Sequence, residues 1–277
     1  MSSGKARHDM DAINIGPLAL PVRVLAPLIA VGAATAAAAW WARRRAVDPS
    51  NTLWHMILWG FVAARAAFVL KHLDTYLADP LTIIDIRDGG FVAFAGLLVA
   101  LAIGLEASRR AAALRRPLLT SSLAGVAVWA AATVGFSAAG PAPAPIPDLA
   151  LRRLDGSTLQ LAATGKPIVV NLWATWCPPC RREMPALGAA QAATPGVAFV
   201  FVNQGEDAAV VQRYLDDQRI AIRDVTLDPA RRVARATHAV GYPTTLFYDG
   251  QGRLVARHMG ELSRAQLNEQ LDALGAR

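Results

Sequence analysis

Trp173-Ala174-Thr175-Trp176-Cys177-Pro178-Pro179-Cys180 holds both cysteines of the 277-residue chain. The apolar run Pro167-Ile168-Val169-Val170-Asn171-Leu172-Trp173 leads into it, and Arg181-Arg182-Glu183-Met184 continues it with a helical pattern. The spacing reads as a buried strand, a tight turn and a helix that opens at the cysteines. Cys177 then stands at the helix N-terminus, where unpaired N–H groups and the helix dipole favour a thiolate. Cys180, one turn inward, is placed to attack a mixed disulfide made by Cys177. Rival chemistries fit less well. A structural zinc site needs about four ligands, and the scattered histidines supply no second half-site. Haem attachment wants His directly after the second cysteine, where Arg181 stands. A permanent structural disulfide across so short a loop gains little chain-entropy stabilisation. The expectation is a redox dithiol, with no metal and no cofactor.

Working outward, the length allows about two domains. A hydrophobic content of 54% and a mean hydropathy of +0.31 point to membrane segments. The net charge of +7 and pI near 10.1 raise nucleic acid as a partner. Much of the arginine lies beside apolar runs, however, and no aromatic-interleaved basic patch appears, so membrane topology explains the charge better.

Residues 1–17 read as short, polar and mobile, with no convincing signal peptide. Four apolar stretches follow, at about 22–42, 53–70, 90–107 and 118–139, each approaching the ~20 residues of a spanning helix. Arg43-Arg44-Arg45 closes the first, Arg109-Arg110 the third, and Arg115-Arg116 opens the fourth. By the positive-inside rule these clusters are cytoplasmic, and everything after residue 140 lies outside. Arg65 falls inside the second stretch; it is a functional candidate by position, with snorkelling to the outer interface as the plainer account. The expected organisation is a membrane domain at 1–140, a Pro-rich linker at 141–148 and an α/β domain at 149–277.

Within that last part, 158–161 and 167–173 read as strands, 178–193 as the active-site helix and 197–203 as a second buried strand. Residues 207–218 read as an amphipathic helix with Val210, Val211, Tyr214 and Leu215 on one face. A short edge strand at 223–227, a short helix at 230–237, a hairpin across Asp249-Gly250-Gln251-Gly252 and a last helix capped by Ser263 complete it.

The motifs Asn171-Leu172-Trp173-Ala174-Thr175-Trp176-Cys177-Pro178-Pro179-Cys180, Glu183-Met184-Pro185 and Gly241-Tyr242-Pro243-Thr244-Thr245 resemble thioredoxin, and more closely the membrane-anchored TlpA/ResA group of thiol–disulfide oxidoreductases. The resemblance runs over about 149–274 and implies a thioredoxin fold, a central mixed sheet flanked by helices; the apolar stretches place it after an all-α membrane domain of four transmembrane helices. It implies Cys177 and Cys180 as the redox pair, a cis proline at Pro243, and substrate contact through Trp176, Pro178, Tyr242, Pro243 and Thr244. In that group Asn171 replaces thioredoxin's buried Asp, and an acidic residue follows the next strand. Glu206 matches it, as the proton acceptor for Cys180 or as a solvated helix-start residue. Trp173 shields the site or packs in the core.

Residues 64–96, with Gly89, Gly90 and Gly96, resemble part of prolipoprotein diacylglyceryl transferase, but Phe94 stands where that family has His. The region reads as a degenerate relative serving as anchor or docking surface. Together these readings imply a multi-pass protein of a bacterial inner membrane with its thioredoxin domain in the periplasm, reducing protein disulfides there. A disulfide oxidase or isomerase, or a lipid-handling protein using the fold as adaptor, are the alternatives. Residues 1–140 contain no cysteine, so a separate membrane electron donor of the CcdA/DsbD type is implied.

Overall fold

The computed structural model describes residues 12–15, 18–78, 80–84, 89–139, 145–163 and 165–275. Two compact units emerge, one of Val22–Phe136 and one that contains Ser137–Arg277. Ahead of the first helix, β1 (Ala12–Ile15) and β2 (Leu18–Pro21) pair antiparallel. Ala12–Ile15, within the stretch expected to be mobile, is thus a strand, and the alternation of Ile13 and Ile15 fits it.

The helical unit contains α1 (Val22–Arg45), α2 (Ser50–Lys71), the short α3 (Leu73–Ala78), α4 (Ala93–Arg110) and α5 (Arg115–Ala139). Among the described residues, three spans are long and apolar enough to cross a membrane, Leu25–Arg45, Ser50–Lys71 and Ala112–Gly135. The shorter α4 is not among them, because Glu106, Arg109 and Arg110 crowd its last turns. It nevertheless packs tightly on α2: a Cβ on Gly96 would lie 2.5 Å from the Gly60 carbonyl oxygen, so the two backbones touch where both residues are glycine.

Arg65 does not snorkel. It is 8% exposed, donates from Nε to the Ile83 carbonyl (3.1 Å) and from Nη1 to the Gly90 carbonyl (3.0 Å), and lies within 6.0 Å of the Phe68, Tyr76 and Phe91 ring centres. Carbonyls of the following loop solvate the guanidinium, so the side chain ties that loop to α2 instead of reaching for water. Gly90 must be glycine for this, since a Cβ there would sit 2.3 Å from the Phe68 ring.

In the second unit, β3 (Ala150–Arg153), β4 (Thr158–Gln160), β5 (Ile168–Trp173), β6 (Ala198–Gln204), β7 (Val225–Asp228), β8 (Thr244–Tyr248) and β9 (Leu254–Met259) form one sheet in the order β4-β3-β7-β6-β5-β8-β9. The centre β7-β6-β5 is parallel; β8, β9, β3 and β4 are antiparallel additions. This is the mixed sheet of a thioredoxin fold. It is flanked by α6 (Pro178–Ala193), α7 (Ala208–Gln218), α8 (Arg232–Ala236) and α9 (Arg264–Ala273). The strand expected at the edge, β7, is interior because β3 pairs beyond it; Ala150-Leu151-Arg152-Arg153 buries only Leu151 fully and shows too little apolar pattern to be read as a strand.

Every residue of β5 is buried, so its sides feed two cores. Val169 and Trp173 pack with Met184, Leu187, Phe199, Phe201, Phe247, Leu267 and Leu271. Val170 and Leu172 pack with Leu151, Leu161, Val200, Val202, Leu246 and Tyr248. Val211 and Leu215 are the inward side of α7, while Val210 is 45% exposed, against the expected face. Ser263 caps α9 by accepting from the Gln266 amide (3.3 Å). Residues 141–144 of the expected linker lie outside the described residues. Ile146 already belongs to the folded unit, donating its N–H to the Gly252 carbonyl at 2.9 Å.

Candidate active site

The parallel strand β5 delivers the chain to the sheet's carboxyl edge, and α6 starts there. Pro178 and Pro179 occupy the first helical turn, where a missing N–H costs nothing and a fixed φ favours the helix. Their presence leaves Cys180 as the first residue of α6 with an N–H. That N–H donates to Cys177 Sγ at 3.3 Å, so Cys177 caps the helix with its own sulfur. The two sulfurs are bonded at 2.06 Å with Cα atoms 5.3 Å apart, and the pair is therefore in its oxidised form. On reduction the same N–H and the helix dipole remain aimed at the Cys177 sulfur.

Cys180 is fully buried and Cys177 nearly so, whereas Trp176 is 60% exposed and Pro178 is exposed as well. Trp176 meets Tyr242 edge-on with ring centroids 6.2 Å apart. The Tyr242–Pro243 peptide bond is cis, and Pro243 is buried. Trp176, Pro178 and Tyr242 thus surround an otherwise covered pair. Thr244 is not part of that surface: it is buried, its hydroxyl donates to the Gly241 carbonyl (2.6 Å), and its backbone pairs with Leu172 and Met259 inside the sheet. Trp173 is a core residue packed on Tyr214 at 5.7 Å.

Glu206 lies in the loop between β6 and α7 and holds the active-site turn. One carboxylate oxygen accepts from the Thr175 N–H (2.7 Å) and from Asn203 Nδ2 (2.7 Å), the other from the Thr175 hydroxyl (2.5 Å). These bonds fix the backbone two residues before Cys177. The carboxylate is committed to positioning, and the described contacts bring it to neither sulfur.

The acid that reading by motif undervalued is Glu183. Cys180, Glu183, Met184, Leu187 and Gln191 form the buried stripe of α6. Glu183 accepts from Asn171 Nδ2 (2.8 Å) and the Leu262 N–H (2.9 Å), while Asn171 Nδ2 also donates to the Thr245 hydroxyl oxygen (3.0 Å). Burial dominates over these bonds and pushes the Glu183 carboxyl up to about 8. A glutamate at the helical spacing of a stripe with Cys180, Met184 and Leu187 was the available signal. Among the described residues no cluster of metal-ligating side chains occurs.

The family model for Redoxin matches residues 141–273, and that for prolipoprotein diacylglyceryl transferase matches residues 11–135, a wider stretch than the glycine motif alone. Thioredoxin-like protein YneN of Bacillus subtilis is 30% identical over 131 residues, covering 46% of this chain and 76% of that protein. Thiol-disulfide oxidoreductase ResA of Halalkalibacterium halodurans is 29% identical over 127 residues, covering 45% and 72%. Thiol:disulfide interchange protein DsbE of Escherichia coli is 30% identical over 134 residues, covering 47% and 71%.

Proposed function

Because the chain belongs to the thioredoxin-like thiol–disulfide oxidoreductases of the ResA/DsbE type, we propose that it reduces disulfides of periplasmic proteins through Cys177 and Cys180. The observation that carries this is the Cys180 N–H directed at a Cys177 sulfur that caps a helix between exposed Trp176 and Pro178. The Cys177 thiolate attacks a substrate disulfide, forms a mixed disulfide and releases one substrate thiolate, which takes a proton. Cys180 loses its proton and attacks the Cys177 sulfur; the second substrate thiolate leaves and the chain keeps both oxidised sulfurs. Glu206 positions the turn. Glu183, one helical turn from Cys180 and with its carboxyl pushed up to about 8 by burial, is the buried acid of α6 that takes up the proton released in the resolving step. Trp176, Pro178, Tyr242 and Pro243 form the docking surface.

The helical unit serves as a membrane anchor of four spans, with α4 crossing against α2. The arginine clusters at 43–45, 109–110 and 115–116 face the cytoplasm, and the thioredoxin unit faces the periplasm. Residues 1–140 have no cysteine to relay electrons by thiol exchange, so a separate membrane dithiol donor of the CcdA/DsbD type re-reduces the pair. Exposed Phe94, where the acyltransferase family has His, speaks for an anchor over a lipid-transferring site.

The test is the reduction potential of the full chain in detergent, equilibrated with dithiothreitol or glutathione and read by thiol trapping. A value near or below about −270 mV supports the reductase; a value near about −120 mV refutes it and leaves a disulfide-forming enzyme.

A further inference from the structure

Arg231 carries a charge that the exchange chemistry leaves unused. It occupies a left-handed turn (φ 52°) between β7 and α8. Its side chain lies over Gly205, where a Cβ would come within 3.0 Å of Arg231 Nε and 3.2 Å of its terminal nitrogen. The same charge acts on the Tyr242 hydroxyl, opposing the upward push of burial. Tyr242 donates to Gln204 Oε1 at 3.5 Å and stacks edge-on with Trp176, while Glu206, next to Gly205, holds Thr175. Arg231 thus lies against Gly205 and within electrostatic reach of Tyr242, while Glu206 ties the same loop to Thr175. Arg231 sits on the cis-proline flank of the redox pair.

The nearby acids Glu206 and Asp228 are occupied elsewhere. Glu206 is committed to Thr175 and Asn203; the Asp228 carboxylate accepts from the Arg232 and Val233 amides and from Gln204. Arg153, Arg182 and Arg253 each pair with an acid, and Arg181 lies over the Tyr214 ring. Arg231 is exposed and, among the described residues, its guanidinium makes no hydrogen bond or ion pair.

We infer that Arg231 recognises a carboxylate on the protein substrate, beside the cystine that Cys177 attacks. This rests on the reading that disulfide substrates dock at Trp176 and Tyr242. Those rings supply apolar contact without preference for charge. The guanidinium adds a fork that matches a carboxylate in shape and sign, so acidic residues flanking the target cysteine are favoured over neutral ones.

The experiment uses the full chain in detergent, pre-reduced, with two cyclic disulfide peptides that differ only in Glu or Gln after one cysteine. Second-order rate constants for peptide reduction are measured for the wild type, Arg231→Gln and Arg231→Lys. The wild type is expected to favour the Glu peptide about two- to fivefold at low salt, the range of an exposed ion pair, and less at high salt. Arg231→Gln brings the ratio to unity, and Arg231→Lys restores part of it. Equal rates in the wild type, or a preference that persists in Arg231→Gln, overturn the inference while leaving the reductase in place. A wild type that reduces neither peptide overturns the reductase reading, and this inference with it.

Discussion

Replacing Glu183 by Gln should remove a specific pH dependence from the stability of the thioredoxin unit. In the folded protein the carboxyl is pushed from its ordinary 4.5 to about 8, with burial as the leading cause. Between those values the folded state holds a proton that the unfolded state has released. Stability therefore falls as pH rises across that window, by about 1.4 kcal/mol per pH unit in its middle. Corrected for the ends of the window, the wild type loses about 3 kcal/mol between about pH 5 and pH 7.5 through this one group. A neutral glutamine has no such proton to lose.

The two hydrogen bonds favour the charged form, and burial outweighs them. Both Glu183 oxygens accept, from Asn171 and Leu262, so an added O–H needs an acceptor. Asn171 Oδ1 is buried without a partner, and a half-turn of that amide would present it to Glu183. Denaturant unfolding of a soluble segment from residue 145 onward, oxidised, followed for both forms between about pH 5 and 7.5, gives the difference directly. The wild type should lose ground to Glu183→Gln steadily with rising pH. Parallel curves would refute the buried-acid reasoning, whatever the offset between them.

Four further outcomes are expected. Glu206→Ala frees the Thr175 amide and hydroxyl; it should cost about 1.5–3 kcal/mol in unfolding measurements and slow thiol exchange, because the turn before Cys177 loses its anchor. Cys180→Ala should accumulate a mixed disulfide between Cys177 and substrate, seen as a reducible adduct in gels and by mass, whereas Cys177→Ala should form none. Gly90→Ala drives a Cβ into Phe68 and Arg65 and should destabilise the helical unit in detergent by about 1–3 kcal/mol. Gly32→Ala, with open space around it, should leave the melting temperature unchanged or slightly raised.

What could be read in advance follows a physical division. The strand–turn–helix about Cys177 and the buried strands β5 and β6 were legible because apolar runs, prolines and the cysteine spacing act locally. β3 was not, since its place in the sheet comes from pairing with β4 and β7 and owes little to its own arginine-rich pattern. The same division applies to the charges. Glu206 was found by position but its partners were not; three hydrogen bonds to Thr175 and Asn203 make it a brace for the turn. Arg65 looked like a residue reaching for the interface, until the chain returning through Ile83 and Gly90 supplied carbonyls that sequence spacing cannot reveal. Glu183 is the sharper case. Its place on the α6 stripe was countable from Cys180, yet the groups that enclose it, Asn171 of β5 with Thr245 of β8 behind it and Leu262 before α9, come from distant parts of the chain. An ionisable residue on an inward stripe is thus the one position where helical periodicity alone points to chemistry, because burying a charge is too costly to be incidental.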